Sequence, residues 1–188
     1  MTWDYLKSAK FYRRFDPIID YLSGKTADKA IIDLDCGYSP ILPFLDTDYG
    51  AYLGNDIIDD WGTDIEGTDK LVAFVKLTDV DFVDMIIRDG LEVDILLCLG
   101  MGGGDVRPEK AESATLRDSF LRIIKHGKPQ IVITEGIQLW EQEYRYYSKL
   151  EADMPDYKRV EHHLIDCDPA WNDAVARREV RIYERITK

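Results

Sequence analysis

The sequence predicts an α/β fold with a mostly parallel sheet of seven strands, and three observations support this prediction. Short apolar runs alternate with segments of helical spacing along the chain. Residues 94–99 form a nearly continuous apolar run, which is typical of a strand covered on both faces of a parallel sheet. Two strand-like runs, at 157–165 and 179–186, follow this alternation as a terminal pair.

The chain is predicted to form one domain, residues 1–188, because 45% of its residues are hydrophobic and it shows no linker or internal repeat. Helical spacing over 3–22 predicts an N-terminal helical cap within residues 1–24, which Pro17 divides into two helices. The strands are predicted at 30–34, 51–56, 71–77, 94–99, 130–134, 157–165 and 179–186. The further helices are predicted at 81–91, with a stop at Gly90, and at 113–125 and 138–150.

Acidic residues outnumber basic ones, and this excess bears on the choice of partner. Thirty-six Asp and Glu residues against 24 Lys and Arg residues give a formal net charge of -12. Nucleic-acid binding is disfavoured on this ground, because it depends on clustered cations that neutralise phosphates. Two local basic clusters, within residues 7–14 and 177–185, are interpreted as solvated faces of helices and strands.

Cysteine usage and hydropathy predict the compartment. Cys36, Cys98 and Cys167 are odd in number and widely separated, which favours reduced thiols over disulfides or a zinc site. No apolar run approaches the roughly 20 residues of a membrane span, and the N-terminus lacks the apolar core of a secretory signal. We therefore expect a cytoplasmic protein with no membrane association. His162 and His163 are adjacent in a predicted strand, so they would point to opposite faces and could not share a metal ion.

Residues 31–40, Ile-Ile-Asp-Leu-Asp-Cys-Gly-Tyr-Ser-Pro, form the most informative segment. An apolar run closes on an acid and then enters a loop, and ligands of open α/β sheets bind beyond such strand ends. The segment resembles the first motif of the class I S-adenosylmethionine-dependent methyltransferases, in which the acid precedes a glycine-rich loop. Gly37 is retained from that pattern, whereas Asp35 and Ser39 stand where the family has its first and last glycines.

Three acids recur at the ends of successive predicted strands, namely Asp33, Asp56 and Asp79. The resemblance implies a role for each of them: Asp33 supports the methionine ammonium group, Asp56 receives both ribose hydroxyls, and Asp79 accepts from the adenine amino group. A carboxylate suits the ribose because it can accept from two vicinal hydroxyls at once. The alternative is that these acids cap helix N-termini, as acids do in many α/β proteins.

The candidate cofactor-binding residues lie at these strand ends and in the loops that follow them. They are Asp33, Asp35, Cys36, Gly37, Tyr38, Asp56, Ile57, Asp79, Val80, Leu99 and Gly100. The glycine-rich loop 100–104 follows the fourth strand, where the family places residues that border the methyl group and the acceptor. Four glycines in five positions are also typical of a mobile connection. The sequence predicts no metal ligands and no conspicuous catalytic acid-base pair.

The resemblance implies a Rossmann-like, three-layer αβα fold whose sheet ends in a C-terminal antiparallel hairpin. It also implies a methyltransferase that converts S-adenosylmethionine to S-adenosylhomocysteine. The acceptor would be an unidentified small molecule or protein. Asp35 leaves three outcomes open: weakened cofactor binding, a shifted cofactor pose, or loss of the cofactor. The second hypothesis is therefore a catalytically inactive domain of the same fold that binds a ligand or partner. A nicotinamide-dependent enzyme is a weaker hypothesis, because the loop at 100–104 lacks the G-x-G-x-x-G register.

Overall fold

The computed structural model describes seven segments of the chain. They are residues 13–37, 41–46, 48–56, 71–99, 111–137, 150–166 and 177–187. Within them, α1 spans Asp16–Leu22, α2 spans Asp79–Asp89 and α3 spans Ala111–Gly127. The strands are β1 (Ala30–Asp33), β2 (Ala51–Asp56), β3 (Leu71–Lys76), β4 (Ile95–Leu99), β5 (Ile131–Ile137), β6 (Tyr157–Asp166) and β7 (Arg177–Arg185).

The seven described strands form one sheet in the order β3-β2-β1-β4-β5-β7-β6. Strands β1 to β5 pair in parallel, whereas β7 pairs antiparallel with both β5 and β6. The strand order reverses direction at β1, because β2 lies on one side of it and β4 on the other. The predicted parallel sheet with a C-terminal antiparallel hairpin is therefore confirmed.

Helices cover both faces of the sheet, which gives the predicted three layers. On one face, α2 and α3 bury Phe82 and Phe120 against Leu96 of β4. On the other face, α1 buries Ile18 against Leu97 of the same strand. Both faces of β4 are thus covered, which explains its uninterrupted apolar sequence. None of the described helices is long and apolar enough to cross a membrane.

The ends of the described helices follow local sequence rules. Pro17 lies in the first turn of α1, where its missing N–H costs nothing, and a 3-10 turn at Arg13–Phe15 precedes the helix. The hydroxyl of Thr78 accepts from the backbone N–H of Asp81 and caps α2. Gly90 ends α2 in the left-handed conformation, at a φ of 61°, as predicted.

Two predicted helical segments fall mainly outside the described residues. These are the first half of the N-terminal cap and the helix at 138–150, of which the structure describes only residue 150. Residues 150–153 are helical. The connection from β1 to β2 spans residues 34–50, and its described part contains a single 3-10 turn at Leu42–Phe44.

Candidate functional site

The three predicted acids lie along one edge of the sheet. Asp33 ends β1, Asp56 ends β2, and Asp79 begins α2, three residues after β3. Because β3, β2 and β1 are parallel neighbours, their carboxyl ends meet at the same edge. This edge borders the point where the strand order reverses, which is where open α/β sheets bind their ligands.

The end of β2 fixes the loop that follows β1. The backbone N–H of Asp35 donates to Oδ1 of Asn55 over 3.1 Å, and that of Cys36 donates to the carbonyl oxygen of Asn55 over 2.9 Å. The backbone N–H of Gly37 donates to Oδ2 of Asp56 over 2.9 Å. Three successive amides are thus bonded to two adjacent residues, so the loop and the acid at the end of β2 have a defined relative position.

Asp35 adopts the backbone conformation that glycine usually supplies. Its φ is 58°, close to the 63° of Gly37, so both residues lie in the left-handed region. Among residues other than glycine, Asp and Asn enter this region most readily. The substitution of aspartate in the glycine pattern therefore keeps the turn that the loop requires. It adds a solvent-exposed carboxylate, on which the negative charge of Asp56 acts.

Asn55 connects all three strand ends, and the sequence analysis missed it. Its side chain is fully buried, accepts from the N–H of Asp35, and donates to the carbonyl oxygen of Leu77 over 3.3 Å. The sequence signal for Asn55 was its position directly before the acid that ends a buried strand, because a buried amide needs hydrogen-bond partners.

Asp33 lies beneath this edge and is fully buried. The hydroxyl of Tyr52 donates to its Oδ2, whereas Oδ1 has no hydrogen-bond partner in the described part of the chain. Burial raises the pKa of Asp33 to about 7, although the Tyr52 hydrogen bond and the positive charge of Arg14 oppose this shift. Asp33 therefore has one oxygen that a ligand group or a water molecule could satisfy.

The carboxylates influence one another. The surrounding protein partly desolvates Asp35 even though it is exposed, and together with the charges of Asp56 and Asp79 this raises its pKa to about 7. Burial, followed by the charge of Asp56, raises the pKa of Asp79, and the hydrogen bond from Asn55 opposes the shift. Each negative charge at this edge thus makes the next one less favourable, so the site favours a ligand with positive charge or hydrogen-bond donors.

The remaining predicted residues divide into buried, exposed and undescribed ones. Cys36 and Leu99 are buried, and Val80 is exposed on the first turn of α2. The Cys36 sulfur packs against Gly54, where an added Cβ would lie 2.9 Å from it. Burial raises the pKa of the Cys36 thiol well above its usual range, so the thiol is neutral. Tyr38, Ile57 and Gly100 lie outside the described residues.

The expectation that the basic clusters are solvated is wrong for three arginines, because Arg14, Arg178 and Arg181 are buried. Glu135, fully buried near the end of β5, accepts from Nη1 of Arg14 over 3.4 Å and from Nη2 of Arg178 over 3.0 Å. Arg181 pairs with the buried Glu179 over 2.6 Å. Glu135 lies 121 positions from Arg14 and 43 positions from Arg178, so a local count of charges does not show that it neutralises them.

The two adjacent histidines on β6 have different partners. His162 Nε2 lies 2.5 Å from Glu179 of β7, and His163 Nε2 lies 2.7 Å from Glu161 of its own strand. The described residues contain no group of three or more His, Cys, Asp or Glu side chains placed to hold a metal ion. Cys36 and Cys98 are free and buried, and Cys167 lies outside the described residues.

A groove of about 710 Å³ lies away from these acids. Its lining includes Lys128 before β5, Tyr157 at the start of β6 and Arg185 at the end of β7. The amino end of β5 meets the carboxyl end of the antiparallel β7 at this edge. The groove therefore lies at the edge opposite to the acids, and we do not assign the cofactor to it.

Comparisons with known proteins identify the fold. No family model matches the sequence, and no curated protein matches it either. Among solved structures, the N-methyltransferase NodS from Bradyrhizobium japonicum WM9, in complex with S-adenosyl-L-homocysteine, is similar with a TM-score of 0.67 and 9% identity. The match covers 97% of this chain and 91% of that chain.

Two further solved structures resemble the chain. Magnesium protoporphyrin IX methyltransferase (ChlM) from Synechocystis PCC 6803, with bound SAM, gives a TM-score of 0.62 at 12% identity and covers 97% of this chain and 94% of that chain. The small RNA methyltransferase HEN1 gives 0.67 at 13% identity, covering 95% of this chain and 25% of that chain. The protein therefore has the Rossmann-like fold of class I methyltransferases, as the sequence predicted.

Proposed function

We propose that the protein is an S-adenosylmethionine-dependent methyltransferase. The observation that carries the proposal is the placement of Asp33, Asp56 and Asp79 at the carboxyl edge of a sheet with this fold, where Asp56 also bonds to the loop that follows β1. The NodS and ChlM structures, which share the fold, contain S-adenosylhomocysteine and S-adenosylmethionine respectively. Identity is low in both comparisons, so the case depends on this chain's own residues.

The residues at this edge fit the chemistry of such a cofactor. Asp56 would receive the ribose hydroxyls, because a carboxylate is an acceptor for two donors and Asp56 already accepts from one backbone N–H. Asp79 would accept from the adenine amino group. Asp33 would support the ammonium group through its unpartnered Oδ1, by way of a water molecule because the side chain is fully buried.

Catalysis would depend mainly on orientation. The sulfonium supplies an activated methyl group, and an acceptor atom attacks the methyl carbon in line with the breaking bond to sulfur. The new bond forms to the acceptor, the electron pair of the broken bond goes to sulfur, and an acceptor proton leaves to solvent. The protein's part is to align the two reactants, which explains why no acid-base pair is conspicuous.

The fold does not identify the molecule that would accept the methyl group. The expectation against nucleic acid gains no support from the comparisons, because one structure of the same fold is a small RNA methyltransferase. NodS and ChlM are methyltransferases of other kinds, so the fold does not select the acceptor. A small molecule or a protein is still our expectation on the ground of net charge. The cytoplasmic location also stays a prediction.

The test is calorimetric titration of the purified protein with S-adenosylmethionine and S-adenosylhomocysteine. We expect both to bind the wild type, and Asp56→Ala to weaken both by about 10- to 100-fold, since hydrogen bonds to a charged acceptor are worth about 1.5–3 kcal/mol. Asp20→Asn, on the exposed face of α1, is the matched control and should bind as the wild type does. Absence of binding to the wild type would favour the inactive, partner-binding alternative.

A further inference from the structure

The groove at the opposite edge of the sheet lies between elements that hydrogen bonds hold together. The backbone N–H of Ile186, directly after β7, donates to the carbonyl oxygen of Asp156 over 2.7 Å. The hydroxyl of Tyr157, at the start of β6, donates to the carbonyl oxygen of Pro129 over 2.8 Å. The groove is therefore a preformed feature of the fold, and its volume of about 710 Å³ is in the usual range for small-molecule sites.

Positive charge predominates in this groove, although the whole chain has a formal net charge of -12. Its charged lining residues are Arg117, Lys125, Lys128, Asp153, Asp156 and Arg185. Arg117 and Asp153 form an ion pair with each other. Within the described segments the other three cations form no ion pair, and Asp156 is the acid that lines the groove beside them. The complementary ligand is therefore an anion.

Arg185 offers one edge of its guanidinium group to such an anion. Its Nη1 donates to the carbonyl oxygen of Lys128. Its Nε and Nη2 have no hydrogen-bond partner in the part of the chain that the structure describes. These two nitrogens form the fork that binds a carboxylate through two parallel bonds. Because the bond to Lys128 already orients the guanidinium group, less side-chain freedom is lost on binding.

Apolar side chains line the same groove. Ile186 is 45% exposed, Pro155 is exposed and Leu121 is half-buried. The cations also have a structural role, because positive charges near the carboxyl end of α3 stabilise that helix. That role does not require apolar side chains beside the cations, whereas a ligand with an anionic head and an apolar body contacts both.

We propose that this groove binds a free small molecule with a carboxylate head and an aliphatic body. The carboxylate bonds to Nε and Nη2 of Arg185 between the two lysines, and the aliphatic body contacts Pro155 and Ile186. Three cations in a concave groove fit one head group, whereas membrane surfaces attract larger basic clusters. The site lies at the edge opposite to the three acids, so this inference is independent of the proposed function.

Octanoate is the probe, and nuclear magnetic resonance titration of the isotope-labelled full chain measures its affinity. We expect octanoate to shift the amide resonances of Lys128, Tyr157 and Ile186, which line the groove. Octanol has the same apolar body without the charge, and acetate has the charge without the apolar body. Both should bind at least about tenfold more weakly than octanoate, because each lacks half of the contacts.

Three variants test the part played by the cations. Arg185→Gln should weaken octanoate binding about tenfold, because it removes two charged hydrogen bonds. Lys125→Gln, at an exposed side chain, should weaken it about threefold and keeps the test valid if Arg185→Gln folds poorly. Arg122→Gln is the matched control on the same helix. Arg122 pairs with Asp84 and does not line the groove, so octanoate should bind this variant as it binds the wild type.

The outcomes separate this inference from the proposed function. Octanol or acetate that binds as tightly as octanoate would overturn it, and so would wild-type affinity in both Arg185→Gln and Lys125→Gln. If octanoate does not bind but vesicles of phosphatidylcholine and phosphatidylglycerol do, the groove contacts a membrane surface and the inference is wrong. S-adenosylmethionine should bind Arg185→Gln as it binds the wild type, so a failure of either proposal leaves the other intact.

Discussion

The burial of Asp33 predicts an unusual dependence of stability on pH. The pKa of this carboxyl rises from 3.8 to about 7 on folding, chiefly because the side chain is fully buried. Between those two values the folded state binds more protons than the unfolded state, so the free energy of unfolding falls as the pH rises. Above about pH 7 the contribution is constant. Each pH unit within the window costs about 1.4 kcal/mol, so the change from pH 5 to pH 8 is about 3 kcal/mol.

Asp33→Asn isolates this contribution. The amide cannot ionise, and its oxygen can still accept from Tyr52, as Oδ2 of Asp33 does. Between pH 5 and pH 8, the unfolding free energy of the variant should fall by about 3 kcal/mol less than that of the wild type. Urea titrations at the two pH values, followed by circular dichroism, measure this difference. If the substitution itself changes the unfolding free energy by the same amount at both pH values, that change cancels, because only the difference between pH 5 and pH 8 is compared.

Asp20→Asn is the control for that experiment, since Asp20 is an exposed acid of α1. Its unfolding free energy should change with pH as the wild type's does. If Asp33→Asn loses as much stability between pH 5 and pH 8 as the wild type loses, burial of Asp33 does not disfavour its charged form.

Three further substitutions test the supports of the site. Asn55→Ala should destabilise the protein by about 2–3 kcal/mol in urea titrations, because it removes a buried hydrogen-bonding side chain. It should also weaken S-adenosylmethionine binding about tenfold. Unchanged affinity would contradict the role of Asn55 in positioning the loop after β1. Glu135→Gln should lower the unfolding free energy by about 3 kcal/mol, because it removes a negative charge that two buried arginines contact. Arg122→Ala, at an exposed ion pair, is the control and should lower it by less than about 1 kcal/mol. Equal losses in the two variants would contradict the argument. Gly54→Ala should lower the unfolding free energy by about 1–3 kcal/mol, because the new Cβ would lie 2.9 Å from the Cys36 sulfur; wild-type stability would show that the strand adjusts freely.

The strands could be predicted because each of them is a local pattern. The prediction for β2, residues 51–56, matches the observed Ala51–Asp56, since a short apolar strand ends on an acid there. The prediction for β5 stopped at residue 134, whereas the strand continues to Ile137. Glu135 and Gly136 are typical of a strand end, yet Glu135 is buried by two arginines from distant segments. Local hydropathy could not show that compensation.

The candidate site shows the same contrast between local patterns and contacts from distant residues. The acids at the strand ends could be predicted because their positions repeat along the chain, and the structure places Asp33, Asp56 and Asp79 at one edge. Their supports could not be predicted from spacing. Tyr52 is 19 residues from Asp33, and the Arg14 side chain reaches Glu135 across 121 positions. Which of many tyrosines and arginines meets a given acid depends on strand order and register.

Asp35 shows why an imperfect motif can still specify its loop. A glycine pattern encodes backbone conformations, and at this position the required conformation is a left-handed one that aspartate also adopts. The loop therefore keeps its bonds to Asn55 and Asp56. What the substitution changes is charge, because it places an ionisable group beside the acid proposed to hold the ribose. The departure from the family pattern thus changes the charge at this edge of the sheet, while the shape of the loop is preserved.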